Sequence, residues 1–486
     1  MADTTPLDAK DPKEEMRERI GAAFERLREN RWSVAQTTAD ERIAKLKRLK
    51  QVILSRREDL KQAMWQDFHK PASEVELTEI QPTLVEINHT ISHLKQWMKP
   101  VPHKAPPTLI GTKSVVRHEP KGVCLILAPW NYPFFLFASP LVAAISAGNV
   151  CMMRPSDKVK ATSKVIDAII REAFPANEVA VFTGPSYIAN IMLELPFDHI
   201  FFTGSPNVGR QVMAAAAKHL ASCTLELGGK SPVIVDETAD VEKAAERIVW
   251  GKYLNGGQTC VAPDHIYVHE SRHDAFVAAA RRVIEARYGT SSEARKRSDD
   301  FCRIVDANSQ KKLKVMIDDS VSKGARLEIG GEADNSERYL EPTVLSNVTE
   351  DSPAMEFEIF GPVLPILKYR GLDEVFRAIH SRGKPLALYV FSESTYNQER
   401  ILKNTTAGGT VINNVLLHVA NPELPFGGVG ESGLGNYHGI YGFKCFSHER
   451  AVVTQGRVSA LEFFYPPYTP KVKKMLDGFT KLLEIT

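Results

Sequence analysis

The chain has 486 residues, and since single cores stop growing at roughly 250–300 residues, two or three domains are expected. Its 43% hydrophobic and 25% charged residues are those of an ordinary soluble globular protein. With 61 basic against 59 acidic residues, interspersed, the net charge of +2 gives no electrostatic basis for nucleic-acid binding and favours small neutral or amphipathic partners.

The amino-terminal MADTTPLDAKDPKEEMRER lacks the apolar core of a secretory signal, so a cytoplasmic location is expected. Met16, Ile20, Phe24 and Leu27 recur at helical spacing, and the pattern continues over about 40–66 and 74–98. Residues 103–122 carry prolines around a β-rich SVVRH and read as an arm that leaves the domain and returns. Short apolar runs then alternate with helical ones: VCLILA, a helix near 135–147, NVCMM, a helix near 160–173, HIFF, a helix near 207–219, and CTLEL. That alternation predicts βαβ units on a parallel sheet, and a second series from Ser231 to about Leu424 predicts another α/β domain.

The longest apolar stretch, Phe134 to Met153, contains Pro140 and reads as a buried helix and strand rather than a membrane span. At the carboxyl end Val472, Met475, Leu476, Phe479, Leu482 and Leu483 share one side of a helix. It reads first as a helix docked on its own protein, with a basic amphipathic helix making peripheral contact with a membrane as the alternative.

Six cysteines show no CxxC and no cysteine–histidine ligand spacing, so neither a disulfide framework nor a metal is expected. Cys124, Cys151 and Cys223 lie in apolar runs, whereas Cys260 sits in the glycine-rich LNGGQTCVAPD. GVGESG (428–433) fits GxGxxG, but glycines rather than a helix follow it; GGKS (228–231) lacks the first glycine of a P-loop. FFTGSPNVG fits better, because a strand enters a small-residue turn and then a helix, the geometry that presents free N–H groups to a pyrophosphate.

Three further stretches carry candidate chemistry. Glu226, ending the apolar run before GGKS, is a carboxylate able to act as a base, or an ordinary paired glutamate. Asn131 in WNYPF follows a core strand, where its amide can donate to a developing oxyanion or simply form a turn. Glu358 and Phe360 in EFEIFGPVLPI, read as extended, point to one face and suit a sugar hydroxyl and a flat ring; an ion pair and a core phenylalanine are the ordinary reading.

Together, WNYPF, MRPSD, FFTGSPNVG, LELGGKSP, GGQTCVAPD, EIFGPVLP and LPFGGVGESGLGNYHG resemble the ordered signature of the aldehyde dehydrogenase superfamily over about residues 15–465. The wording GQTCVAPD resembles most its class 3, or fatty aldehyde, branch. The resemblance implies an α/β fold with a Rossmann-like cofactor domain (1–99 and 120–226), an α/β catalytic domain (227–446), a β oligomerisation arm (100–119 and 447–468) and a carboxyl-terminal amphipathic helix (469–486).

It implies Cys260 as nucleophile, Asn131 as oxyanion donor and Glu226 as the base that activates water. Gly204, Ser205 and Gly209 would frame the pyrophosphate turn, and Glu358 and Phe360 would hold the nicotinamide ribose and ring. Arg154 and Asp157 would lie by the adenosine ribose, where the family usually has Lys and often Glu; NAD is expected, with NADP also admitted. Tyr132, Thr259 and 414–425 would line the pocket for a medium- or long-chain aliphatic or aromatic aldehyde. A homodimer is implied. A thiol hydrolase finds no persuasive histidine partner, since His265 lies beyond Pro263; a coenzyme A-acylating enzyme is the alternative within the superfamily, although such relatives usually lack the glutamate of ELGGK.

Overall fold

A six-stranded, a seven-stranded and a three-stranded sheet organise the chain in the computed structural model, which describes residues 11–106 and 109–484. The six-stranded sheet runs in the order Gly433–Leu434, Ser222–Leu227, His199–Gly204, Val123–Leu127, Val150–Arg154, Val179–Val181. Its strands are parallel except Gly433–Leu434, which pairs antiparallel with Ser222–Leu227. Val123–Leu127 is buried along its whole length, as a central parallel strand covered on both faces must be.

The period-two alternation of that strand divides two cores. Val123, Leu125 and Leu127 pack with Ile20, Phe24 and Leu27 of the helix Pro12–Ala35. Cys124 and Ile126 point the other way, toward Leu46, Leu49, Ile53 and the helix Phe135–Ala147. The helical periodicity near the amino terminus is therefore the cover of this sheet. The helix expected over 74–98 differs in detail: Ala72–Val75 runs through a π-helical turn, Glu76–Ile80, before Gln81–Trp97. The wider turn carries Glu79, whose carboxylate accepts from the N–H groups of Phe134 and Phe135 at the start of the next helix. Lys70 pairs with Glu79 at 2.7 Å, and both side chains are fully buried.

The second sheet has the order Arg326–Ile329, Thr343–Ser346, Val363–Tyr369, His265–His269, Pro232–Val235, Ala387–Phe391, Gly409–Ile412, parallel except for its first strand. Thr112–Pro120 pairs residue by residue with Ser447–Gln455, and Val101–His103 lies on its other edge. Helix Phe135–Ala147 is buried throughout despite Pro140, and among the described residues no helix is long and apolar enough to cross a membrane.

On the apolar side of the carboxyl-terminal helix Pro470–Leu483, Met475 and Leu476 are 40% and 42% exposed, whereas Val472 and Phe479 are half-buried. Pro466 and Pro467 precede it, and Pro470 is its first residue. The side chains of Leu482 and Leu483, and the polar segment before Asp11, lie outside the described residues.

Candidate active site

The strand order of the first sheet fixes where a ligand can enter. From Val123–Leu127 the chain proceeds to Val150–Arg154 on one side and later to His199–Gly204 on the other, so the ends of these strands diverge at a switch point. Asn131 follows the first strand and Gly204–Ser205 close the last. Both line a cavity of about 210 Å³ together with Trp130, Glu226, Cys260, Glu358 and Phe360. One cavity thus gathers seven of the twelve residues singled out in the sequence, counting Asn131, Gly204, Ser205, Glu226, Cys260, Glu358 and Phe360.

The loop that presents Cys260 is knit before it reaches the thiol. Asn255 adopts a left-handed φ of 54°, and its side-chain amide donates to the carbonyls of Asn131 at 2.9 Å and Gln258 at 3.1 Å. Asn131 donates one amide hydrogen to the same Gln258 carbonyl at 3.1 Å and keeps the other for the cavity that it lines. The Gln258 side chain donates to the carbonyls of Asn255 and Arg303 and accepts from the N–H of Val305. Below the loop, Glu74 accepts from the N–H of Asn255 at 2.9 Å. Asn255 and Glu74 escaped the sequence reading; Asn255 carried a signal in its Asn-Gly-Gly turn, whereas Glu74 is brought in by tertiary packing alone.

Glu358 and Phe360 share the cavity, although their segment is irregular rather than extended: Phe360 has φ 50°. The cause is a set of anchors from the flanking motifs. Asp264 accepts from the N–H of Ile359, and Lys230, paired with Asp264, donates to the carbonyls of Ala354 and Phe357. Lys230 of GGKS is thereby spent on structure, consistent with the rejected P-loop. A Cβ on Gly228 would collide with the Glu358 carboxylate, so glycine permits the approach. Phe360 meets Trp130 edge to face, with ring centroids 5.4 Å apart.

Three acidic groups face this space. Burial, then the charges of Glu358 and Glu226, push the Cys260 thiol up to about 12, while the N–H groups of Cys260 and Val261 pull it down. Burial also raises Glu226 well above the usual carboxylate range, and neither of its oxygens has a hydrogen-bond partner among the described residues. Glu358 is raised to about 8, first by burial and then by Asp264, and its Oε1 is likewise unpartnered. A cavity of this kind disfavours further negative charge and suits a ligand with a cationic ring and hydroxyls for the orphaned oxygens. An oxidised nicotinamide riboside fits both demands. A thiol, an amide donor and an unpaired carboxylate on one cavity can attack a carbonyl, hold its oxyanion and activate water.

Five residues from the sequence reading lie off this cavity. Tyr132 and Thr259 are buried and joined by a 2.6 Å hydroxyl hydrogen bond; Tyr132 packs with Phe135, Leu136 and Val419. Arg154 ends its strand buried, with Nη2 donating to the carbonyl of Gly184 at 3.0 Å and 3.2 Å from Asp157. Gly209 lies inside the helix Pro206–Ala217, where a Cβ would come within 2.7 Å of Leu227; it serves the close approach of helix and strand.

The aldehyde dehydrogenase family profile matches residues 9–452. The 4,4'-diaponeurosporen-aldehyde dehydrogenase of Staphylococcus aureus is 44% identical over 428 residues, spanning 88% of this chain and 92% of that protein. Human aldehyde dehydrogenase family 3 member B1 is 39% identical over 464 residues, with 94% and 96% covered. The substrate-bound structure of Staphylococcus aureus AldH superposes with a TM-score of 0.90 at 42% identity, covering 95% of this chain and 99% of that one. The chain belongs to the aldehyde dehydrogenase family and is an NAD(P)-dependent oxidoreductase that oxidises aldehydes.

Proposed function

We propose that Cys260 attacks the aldehyde carbon and that Asn131, with the N–H of Cys260, holds the resulting oxyanion. The observation that carries this is the convergence of Cys260, Asn131, Glu226 and Glu358 on one cavity. The nicotinamide cofactor, when bound, supplies the hydride acceptor for oxidation of the hemithioacetal to a Cys260 thioester. Glu226, free of protein hydrogen bonds among the described residues, takes a proton from the water that releases the acid. Its presence opposite the thiol favours water over coenzyme A as acyl acceptor. Glu358 holds the cofactor's ribose hydroxyls, Phe360 with Trp130 its ring, the Gly204–Ser205 turn at the start of the helix containing Gly209 its pyrophosphate, and Arg154 with Asp157 its adenosine end.

The substrate is a medium- or long-chain aliphatic or an aromatic aldehyde. Support comes from the apolar wall of Tyr132, Phe135, Leu136 and Val419 next to Thr259, and from the relative named for a diaponeurosporen aldehyde. The domains divide as 1–99 with 120–226, 227–446, and an arm of 100–119 with 447–468. That arm carries Val453, Phe463, Tyr465 and Tyr468, all more than half exposed, and forms a homodimer interface. The enzyme acts in the cytoplasm, and the exposed apolar side of its last helix makes peripheral contact with lipid.

Steady-state oxidation of short, long and aromatic aldehydes with NAD and NADP tests the reading, alongside Cys260→Ala. The variant is expected to bind cofactor and produce no reduced nicotinamide. Substantial turnover by it would defeat the assignment of Cys260.

A further inference from the structure

Away from the cavity, His89 and His93 stand one turn apart on the helix Gln81–Trp97 and meet Glu423 from the loop that follows Ala420. A ring nitrogen of each histidine and a carboxylate oxygen of Glu423 lie within 4.8 Å of one another. We propose that His89, His93 and Glu423 bind a divalent cation of the zinc class, which clamps the 419–424 segment to this helix.

Two histidines four residues apart on one helical face form a natural chelating pair. Their rings lie 4.3 Å apart, and His89 Nδ1 is 3.6 Å from Glu423 Oε1. His93 Nδ1 is 2.8 Å from the carbonyl of His89. A carbonyl can only accept, so Nδ1 carries the hydrogen and Nε2 the lone pair of the neutral ring. Such a backbone bond on the second nitrogen is the usual way a ligating imidazole is oriented. Trp97 stacks on His93, with ring centroids 5.8 Å apart, and limits its movement.

Glu423 is presented by a turn in which its N–H donates to the Asn421 side chain and Leu424 N–H donates to the Asn421 carbonyl. Its carboxylate is 67% exposed and free to close the remaining distance. Ligand atoms about 2.0–2.2 Å from zinc stand roughly 3.3 Å apart in a tetrahedron, and water fills the fourth position. The same helix already holds the far end of this region, since Glu86 accepts from the N–H of Gly439 and the ring of His438. Val419 packs on Tyr132, Phe135 and Leu136, so a cation at Glu423 would fasten one wall of the apolar cluster. The HxxxH spacing alone passes unnoticed in the sequence; the third ligand comes from a loop over three hundred residues away.

The test is titration of chelator-treated full-length protein with Zn²⁺ against a chromogenic indicator, repeated with Co²⁺ for its absorption spectrum. Wild type is expected to take up one equivalent more tightly than either His93→Ala or Glu423→Gln, by at least about tenfold. The Co²⁺ form should show tetrahedral bands without thiolate charge transfer, and hydrogen exchange of 419–424 should slow on Zn²⁺ addition in wild type only. Equal stoichiometry and affinity in both variants, or a cobalt spectrum dominated by thiolate charge transfer, would overturn the proposal. Glu423→Gln, on an exposed turn, serves if His93→Ala fails to fold.

Discussion

Gly257 lies against the carbonyl oxygen of Gly361, backbone to backbone, at a left-handed φ of 74°. This contact joins the loop of Cys260 to the segment of Glu358 and Phe360, so the spacing of the two motifs in the cavity depends on a missing side chain. Gly257→Ala would add a Cβ where the carbonyl already sits and impose a φ that costs an L-residue about 1–2 kcal/mol. We expect kcat/KM to fall at least about tenfold, which corresponds to roughly 1.4 kcal/mol of transition-state stabilisation, with the protein still folded by circular dichroism. A fully active Gly257→Ala protein would show that the contact does not set the geometry.

Glu226→Gln removes a proton acceptor and leaves the size of the side chain unchanged. Because neither Glu226 oxygen is engaged by another described residue, the substitution should disturb little else. Acylation should proceed and release should stall, giving a burst of reduced cofactor followed by turnover slowed about 10²- to 10⁴-fold, the usual worth of a general base. Intact-protein mass spectrometry should find the acyl group on Cys260. Unimpaired turnover with no adduct would exclude Glu226 as the base.

The thiol offers a separate pH test. With Cys260 held at about 12 by burial and by its acidic neighbours, iodoacetamide should alkylate cofactor-free protein slowly at pH 7 and still faster at each step up to pH 10. Glu358→Gln removes one of the charges that raise the thiol, so its alkylation at pH 8 should be faster than in wild type. A plateau of the wild-type rate below pH 8 would mean that the thiolate forms far more easily than its surroundings indicate.

Much of the site could be read from the sequence because the groups that touch the cavity sit at ends of strands and in glycine turns, where local pattern and chemistry coincide. Asn131 and Gly204 are such cases: the first follows an apolar strand of the first sheet and the second ends one. Phe360 shares the cavity with Glu358, but anchors from Lys230 and Asp264, far along the chain, bend their segment away from the extended form that their spacing predicts. Glu74 and the Lys70–Glu79 pair leave no local trace, because their meaning comes from what they meet after packing. The last helix shows the limit in another direction. Amphipathic spacing identifies an apolar side and is silent on what covers it.

Arg154, which we propose to lie at the adenosine end of the cofactor, offers a test of cofactor choice. Its guanidinium ends the strand Val150–Arg154 beside Asp157, with Nε buried and without a hydrogen-bond partner among the described residues. Asp157 alone would repel a 2′-phosphate, and the fork of Arg154 can offset that repulsion with directed donors. Arg154→Lys should lower the NADP-to-NAD ratio of kcat/KM by about tenfold, or roughly 1.4 kcal/mol. Parallel kinetics with both cofactors measure this, and a ratio unchanged within twofold would remove Arg154 from the discrimination.

Glu74 supports the thiol loop from beneath, and its ionisation links that support to pH. Burial raises its carboxyl to about 7, against the pull of Lys70 and of the Asn255 N–H. An acid whose folded pKa exceeds its unfolded value near 4.5 stabilises the fold fully below that lower value, and the contribution is lost as pH rises through 7. The shift corresponds to about 3 kcal/mol at 1.36 kcal/mol per pH unit. Glu74→Gln keeps an acceptor for Asn255 and cannot ionise. Its thermal midpoint should therefore gain on wild type between pH 5 and pH 8, while Glu74→Ala, which loses the acceptor, should be less stable at both. The same loss should reach catalysis, because Asn255 joins Glu74 to the Asn131 carbonyl through bonds of 2.9 Å on each side. A Glu74→Gln midpoint that parallels wild type across this range would show that Glu74 does not titrate as its burial requires.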